Sequence, residues 1–456
     1  MRARFLTLLR LALAGSRSDR YRVVLIALGA ALGTVFALAA LIVLSIDGYD
    51  ERYTNNLLKE PGLRPGVATA CWLLLVPTLI FIGMCTRVCA AQRERRLANL
   101  RLAGAAPAHV RLIGALETGV TSLVGAFLGL GILLAGRALL AARVDDPNRL
   151  SLPVDEPFPW LAALLFCLGM PLLTGLAGAI ALRGTVVSPL GVVRRERHRR
   201  PSGWPAVLLV TGPLIVILAN RLTSLDVGGF WQPLLILGAI STCVGMLAAS
   251  AWLAALIGTV TARLTGRPAF LIAARRLEAD PYGQSWAMSS VVICAFFASI
   301  VAVFKADTLA GRNSMDAAFY ERAFDLVNLG LLMAVIIAAA GLLVSLAESV
   351  LERRRSLAAL LAAGTPIGTL RRAVMLQGLL PLVPALLLAT ALGGLMFLAI
   401  TGVYPETVVG NVDEPSFPLA DLALIALTGL LASVLATALS LPFLHRSVRP
   451  SELRFE

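Results

Sequence analysis

The sequence has little charge and almost no lysine. Of its 456 residues 15% are charged, against 58% that are apolar. A chain with this balance cannot bury its apolar side chains around one water-facing core, so much of it must face lipid. Its only lysines, Lys59 and Lys305, lie outside any Gly-x4-Gly-Lys-Ser/Thr pattern. Because that pattern forms the phosphate-binding loop of many ATPases, we do not expect the chain to hydrolyse ATP by that chemistry.

Residues suited to metal binding or catalysis are also scarce. The three histidines are far apart and the six cysteines all fall in apolar runs, so neither set has the spacing of a metal site or a disulfide framework. We therefore predict no catalytic, cofactor-binding or metal-binding residues. The residues concerned are His109, His198, His445, Cys71, Cys85, Cys89, Cys167, Cys243 and Cys294.

What the sequence has in quantity is apolar runs of about 20 residues or more, the length that crosses a bilayer as a helix. The first run is too long for a signal peptide and is expected to be a retained span. The runs predict an all-α polytopic membrane protein of about ten transmembrane helices, in a 4+2+4 arrangement without a large extracellular domain. The predicted spans are 23–46, 67–91, 112–140, 159–182, 205–220, 232–260, 287–304, 326–347, 373–403 and 419–444.

The formal charge of +13 is unevenly distributed along the chain. Nearly all of the arginine excess falls on segments on the amino-terminal side of the predicted spans, and the opposite loops are acidic on balance. This positive-inside pattern predicts that both termini are cytoplasmic, and it explains the charge without nucleic acid. The preference for Arg over Lys suits a GC-rich genome and hence a bacterial plasma membrane. The basic linker at 194–205 is either a solvated hinge or a patch that binds membrane lipids.

The chain contains an internal repeat displaced by 260 positions. Residues 93–111, RERRLANLRLAGAAPAHVR, align without gaps with residues 353–371, RRRSLAALLAAGTPIGTLR, and we call these the first and second turn segments. The repeat predicts a first four-span unit at 1–200, two linking helices at 201–261 and a second four-span unit at 262–456. An even number of spans separates the two units, so both should enter the membrane in the same orientation.

Each turn segment is predicted to be a helix, a sharp turn and the start of a second helix. Gly104 and Gly364 can adopt the left-handed conformation that ends a helix, and Pro107 suits the first turn of the next one. A single copy would be explained as an ordinary loop, but two preserved copies suggest a surface offered twice to a two-fold symmetric partner. The identical pairs are Arg93/Arg353, Arg95/Arg355, Leu97/Leu357, Ala98/Ala358, Leu100/Leu360, Ala103/Ala363, Gly104/Gly364 and Arg111/Arg371.

On these residues each unit resembles the FtsX/MacB-type permease module of ABC transporters, and the ten-span total is similar to bacitracin-resistance-type permeases. The segments where such relatives carry large external domains, 47–66 and 305–325, are short here. The resemblance implies a permease subunit that is not itself an enzyme and that docks on a separate cytoplasmic ABC ATPase homodimer, which would bind ATP and Mg²⁺. The docking residues implied are Arg93, Arg95, Leu97, Leu100, Gly104, Arg111, Arg353, Arg355, Leu357, Leu360, Gly364 and Arg371.

Two patterns inside the spans are read as structural. Glu117 corresponds to the neutral Gln377, which argues against proton coupling and favours a role in tying the turn segment to its span. Gly125 and Gly129 have the Gly-x3-Gly spacing that permits close helix packing.

The leading functional hypothesis is an ABC permease or mechanotransmitter that exports, extracts or dislodges an amphipathic peptide, lipid or drug. The alternative is an ABC-linked regulatory protein that controls an external partner such as a cell-wall hydrolase, which the short outward loops disfavour. A secondary transporter is less favoured, because Glu117 and Asp421 lie near span ends rather than near the membrane midplane.

Overall fold

The computed structural model describes residues 19–53, 56–59, 61, 64–87, 102, 106–143, 153–154, 156–181, 203–223, 231–310, 314–352, 354–401 and 418–447. Its regular elements are helices, which confirms the all-α fold. They are α1 (Asp19–Leu44), α2 (Asn56–Lys59), α3 (Arg64–Leu73), α4 (Leu75–Arg87), α5 (Pro107–Ala141), α6 (Trp160–Ala181), α7 (Val207–Thr223), α8 (Trp231–Leu264), α9 (Pro268–Ala279), α10 (Pro281–Ala310), α11 (Ser314–Glu352), α12 (Arg354–Ala362), α13 (Ile367–Thr401) and α14 (Leu419–Ser447).

Seven helices of the described part of the chain are long and apolar enough to cross a membrane. Three shorter apolar helices, Leu75–Thr86, Trp160–Leu176 and Val207–Ala219, lie where the sequence predicts the second, fourth and fifth spans. The chain is therefore a multi-pass membrane protein, whereas the total of ten spans stays a prediction.

The second predicted span is interrupted. Helix α3 ends at Leu73 and α4 begins at Leu75, with a turn at Leu74 between them. Pro77 explains the interruption, because proline has no amide hydrogen to donate to Leu73 and its ring clashes with the carbonyl group four positions earlier. The sequence analysis predicted a span at 67–91 without this turn.

Contacts divide the chain into two units with the same internal pattern. Unit 1 comprises Met1–Glu196 and Asp325–Ile337, and unit 2 comprises Arg197–Phe324 and Ala338–Glu456. In unit 1, α1 packs on α5 and α6, and α5 packs on α6. In unit 2, α10 packs on α13 and α14, and α13 packs on α14, while α7 and α8 pack on each other and on α13. Corresponding helices of the two copies thus make corresponding contacts, as expected of a structural repeat.

An amphipathic helix that the sequence analysis missed precedes the seventh predicted span. Helix α9 buries Ala273, Ala274 and Leu277 and packs on α8, α10 and α13. Gly258 allows the close approach of α8, because a Cβ there would lie 2.9 Å from the carbonyl oxygen of Ala274. With 12 residues, α9 is too short to be found by a search for membrane spans.

Helices α1 and α5 approach each other closely. A Cβ added at Gly125 or Gly129 would collide with the backbone of Ala27 or Ala31 on α1. The missing side chains let the two backbones come into contact, which is how small residues at this spacing join helices in a membrane. The packing predicted from the Gly-x3-Gly spacing is confirmed.

Candidate functional site

The second turn segment is a helix end closed by backbone hydrogen bonds. The amide of Gly364 donates to the carbonyl oxygen of Leu361 at 2.9 Å, and the amide of Thr365 donates to that of Leu360 at 3.1 Å. These two bonds form a Schellman motif at the end of α12. Gly364 has a φ of +90°, in the left-handed region that glycine enters without steric cost. The glycine cap predicted here is confirmed.

Leu357 holds the second turn segment on the helices of unit 2. It is 1% exposed and belongs to a buried apolar cluster with Val350 of α11, Leu370 and Val374 of α13 and Leu441 of α14. Full burial of a leucine side chain stabilises a fold by about 1.5–3 kcal/mol. Leu357 is inaccessible to a partner in this structure, so it can influence docking only by positioning α12.

The surface that the second turn segment exposes combines small residues, one large apolar residue and arginine. Ala359, Ala362, Pro366 and Arg371 are exposed. Ile367 at the start of α13 is also 43% exposed. An apolar side chain beside a cation on a rigid turn is a surface suited to protein contact.

The other predicted docking residues are unevenly described. Leu360 is half-buried against the Leu357 cluster, Gly364 is exposed, and Arg355 and Arg111 lie on α12 and α5. Six of the predicted residues lie outside the described residues, namely Arg93, Arg95, Leu97, Leu100, Gly104 and Arg353.

The end of the first turn segment has the predicted geometry. Pro107 occupies the first turn of α5, after Ala106 in an extended conformation with φ −64° and ψ 149°. Proline is favoured at this position because its missing amide hydrogen would have no helical acceptor there. The start of α5 is thus fixed by its sequence, as predicted.

Glu117 forms a buried ion pair that the sequence did not reveal. Nη2 of Arg22, near the start of α1, donates to Oε1 of Glu117 on α5. The two side chains are 2% and 8% exposed. The partners lie 95 positions apart, so only the packing of α1 on α5 brings them together. Gln377, which corresponds to Glu117 in the second copy, is also buried.

Arg64 organises the segment between the first two predicted spans. Its guanidinium is buried and donates to the carbonyl oxygens of Leu58 at 2.7 Å, Ile46 at 2.8 Å and Lys59 at 3.1 Å. Because it satisfies three backbone acceptors at once, Arg64 folds the described part of this segment onto the end of the bundle.

Arg137 has a similar role between the third and fourth predicted spans. Its Nη2 donates to the carbonyl oxygens of Val154 at 2.8 Å and Glu156 at 2.6 Å, and its guanidinium lies 5.8 Å from the ring centroid of Phe158. Val154 in turn packs against the cluster around Tyr53 in the preceding loop. The described loops at this end of unit 1 therefore form one compact cap.

The comparison with known families identifies the repeat. Residues 68–187 match a family model described as FtsX-like permease C-terminal, and residues 328–447 match it again. The two matches together cover more than half of the 456 residues. The chain belongs to the FtsX-like permease family. The second match lies 260 positions after the first, which is the displacement of the turn segments. No curated protein and no solved structure matches the chain significantly.

Membership of the FtsX-like permease family makes this chain a permease component of the ABC transporter type. FtsX-like permeases are membrane subunits without an ATPase of their own, and they generally pair with a cytoplasmic ABC ATPase. Both turn segments lie inside the matched ranges. In the described part of the chain, no group of His, Cys, Asp and Glu is arranged to hold a metal ion.

Proposed function

We propose that this FtsX-like permease is the transmembrane subunit of an ABC transporter in a bacterial plasma membrane, with both termini cytoplasmic. Its two turn segments dock on a separate ATPase homodimer that binds ATP and Mg²⁺. Hydrolysis of ATP by that dimer drives the export or extraction of an amphipathic peptide, lipid or drug, or transmits mechanical force to such a molecule.

The packing of the second turn segment on its neighbouring helices is the observation that carries this proposal. A segment that transmits force must move its helices rather than bend by itself. The buried cluster that contains Leu357 joins α12 to α11, α13 and α14, and the Schellman motif joins α12 to α13 without a flexible loop. A push on the exposed turn is therefore passed directly to helices that cross the membrane.

The compact cap of unit 1 supports a substrate that is handled at the membrane. Arg64 and Arg137 fold the described outward loops back onto the bundle, where they cover Tyr53. The hydrogen bond from Arg52 in the same loop also holds the pKa of Asp50 below its usual range, which keeps that carboxylate ionised. Loops folded in this way leave little surface for a large external partner. They therefore favour a substrate that the permease meets at the bilayer.

The test of docking is a charge reversal at Arg371. This residue is exposed on the second turn segment, and Arg263, exposed in the last turn of α8, provides a matched control outside it. In lipid nanodiscs, Arg371→Glu should lower the affinity for the ATPase encoded beside this gene by about tenfold, or ~1.4 kcal/mol. Arg263→Glu should bind as the wild type does.

Two outcomes would contradict the proposal. If the purified wild-type permease neither binds that ATPase nor changes its rate of ATP hydrolysis, the chain is not its transmembrane subunit. If Arg371→Glu and Arg263→Glu weaken binding equally, the interaction depends on general surface charge rather than on the turn segment.

A further inference from the structure

Unit 2 contains an apolar crevice beside α7 and α8, the helices that lie between the two family matches. The crevice has a volume of about 40 Å³, roughly three times the space that one water molecule needs. Its lining includes Leu209 of α7, Met246 and Leu253 of α8, Val292 of α10 and Ala385 of α13. Ser250 also lines it, but the Ser250 hydroxyl group already donates to the carbonyl oxygen of Leu247 at 2.7 Å. The crevice therefore suits an apolar ligand.

The crevice lies within the membrane-spanning part of its helices. The lining residues of α8, α10 and α13 belong to the candidate spans Ile240–Leu264, Pro281–Ala306 and Ile367–Met396. Leu388, another lining residue, is exposed, so the crevice adjoins the outer surface of α13. Because the core of a bilayer contains no water, the molecules that can enter at this depth are hydrocarbon chains.

The face of α8 that contains Leu253 continues from the crevice to the end of the helix. Residues three or four positions apart share one face of a helix. On this face the next apolar side chains are all exposed, namely Leu256, Val260 and Leu264. Arg263 lies about 15 Å beyond Leu253 along the helix axis, at about 1.5 Å per residue. That distance is about half of the ~30 Å hydrocarbon core of a bilayer.

The end of α8 carries positive charge that the described residues do not neutralise. Arg263 and Arg267 are exposed, and neither forms an ion pair within the described part of the chain. The only acidic residue of α9, Glu278, already pairs with Arg275 at 2.8 Å. Exposed arginine beside the exposed Leu264 is typical of the headgroup region of a bilayer, where arginine side chains reach lipid phosphates.

We propose that the crevice and the two arginines form one binding site for an anionic phospholipid. One acyl chain follows the exposed face of α8 and ends in the crevice, and the headgroup lies on Arg263 and Arg267. The apolar lining fits the chain, and the negative headgroup complements the two arginine charges. The bound lipid fills the space between α7 and α8 and the neighbouring helices α10 and α13. This site does not depend on the docking function proposed above.

The test counts the lipids that remain bound to the purified full-length permease. The probes are dioleoyl phosphatidylglycerol, which is anionic, and dioleoyl phosphatidylcholine, which is zwitterionic and has the same acyl chains. Each lipid is titrated into the permease in detergent, and bound lipids are counted by native mass spectrometry. No ATPase is present, so failure of the docking function would not affect the result.

The headgroup contact is tested with Arg263→Gln/Arg267→Gln. The matched control, Arg371→Gln/Arg372→Gln, removes the same charge from exposed positions near the start of α13. The wild type should bind one phosphatidylglycerol about 30-fold more tightly than phosphatidylcholine. Arg263→Gln/Arg267→Gln should lose about that factor, or ~2 kcal/mol, because two arginines no longer attract the headgroup. The control should bind as the wild type does.

The chain contact is tested with Ser250→Leu, which fills part of the crevice with a larger apolar side chain. Thr428→Leu is the matched control, because Thr428 is exposed on α14 and its hydroxyl group also donates to the carbonyl oxygen three positions earlier. Ser250→Leu should weaken phosphatidylglycerol binding about tenfold, as expected when about two methylene groups leave the crevice. Thr428→Leu should have no effect.

Four outcomes would overturn the proposal. Equal binding of the two lipids by the wild type would remove the role of the headgroup charge. Equal weakening by the two double variants would assign the binding to general surface charge. Unchanged binding in Ser250→Leu would show that no chain enters the crevice. A co-purified neutral molecule that is lost from Ser250→Leu but retained by Arg263→Gln/Arg267→Gln would assign the crevice to another ligand. If Ser250→Leu does not accumulate, the wild type and the arginine variants decide alone.

Discussion

Replacement of Gly364 by alanine should loosen the second turn segment by an amount that follows from its backbone. At a φ of +90° the added Cβ meets the neighbouring carbonyl oxygen, and a left-handed residue with a Cβ costs roughly 1–2 kcal/mol. Apart from Gly364 itself and its two neighbours in the chain, no atom lies within 4 Å of the position that this Cβ would occupy, so the cost is one of backbone conformation alone. The population of the intact turn relative to its open form should fall roughly 5–30-fold.

Hydrogen exchange reports this loss directly. The amides of Gly364 and Thr365 make the two bonds of the Schellman motif, so exchange at these positions should accelerate by the same factor in Gly364→Ala. Gly368→Ala is the matched control, since Gly368 lies in the first turn of α13, has no neighbour within 4 Å and does not have a positive φ. The control should leave exchange unchanged.

ATPase binding completes the same experiment. If docking needs the closed turn, the affinity should fall with the population of that turn. Unchanged exchange at residue 365 in Gly364→Ala would refute the argument from backbone strain. Accelerated exchange with unchanged affinity would show instead that the ATPase does not contact the turn.

Two more substitutions test the packing and the cap. Gly129→Ala should lower stability by about 1–3 kcal/mol, because the carbonyl of Ala31 cannot move aside, whereas Gly131→Ala, with no neighbour within 4 Å, should be neutral or slightly stabilising in a detergent unfolding titration. Equal effects would argue against the close contact between α1 and α5. Arg64→Lys should expose residues 46–64 to limited proteolysis, because one ammonium cannot replace the three bonds of the guanidinium and each buried carbonyl left unpaired costs about 1–3 kcal/mol. A protease-resistant variant would show that Arg64 does not hold the segment.

The helical architecture was predictable because it depends on local properties of the chain. Run length and hydropathy are enough to find most spans, and the glycine cap at Gly364 and the proline start at Pro107 follow from backbone restrictions that act within a few residues. The repeat was predictable for a different reason, since self-similarity needs no knowledge of the fold.

The features that were missed could not be found from single residues. The break at Leu74 lies three positions before Pro77, but Pro171, Pro213 and Pro381 lie inside continuous helices, so a proline alone does not predict a break. The pairing of Arg22 with Glu117 could not be found either, because nothing within either helix indicates which residue faces it across 95 positions. The burial of Leu357 was hidden for the same reason, since its neighbours come from three other helices.

The two copies preserve their close helix contacts but differ at the ends of those contacts. In unit 1 the backbones of α1 and α5 meet at Gly125, and in unit 2 a Cβ at Gly393 of α13 would collide with the backbone of Phe296 on α10. In each copy the missing side chain lets the backbones of the two helices come into contact. Unit 1 has the Arg22–Glu117 ion pair, whereas unit 2 has the neutral Gln377 in the place of Glu117, and the loss of only one member of the pair would leave a buried unpaired ion at a cost of about 3–5 kcal/mol. If the ATPase is a homodimer, it presents two equal surfaces to two turn segments of different sequence, and any difference in their movement must then arise within this chain.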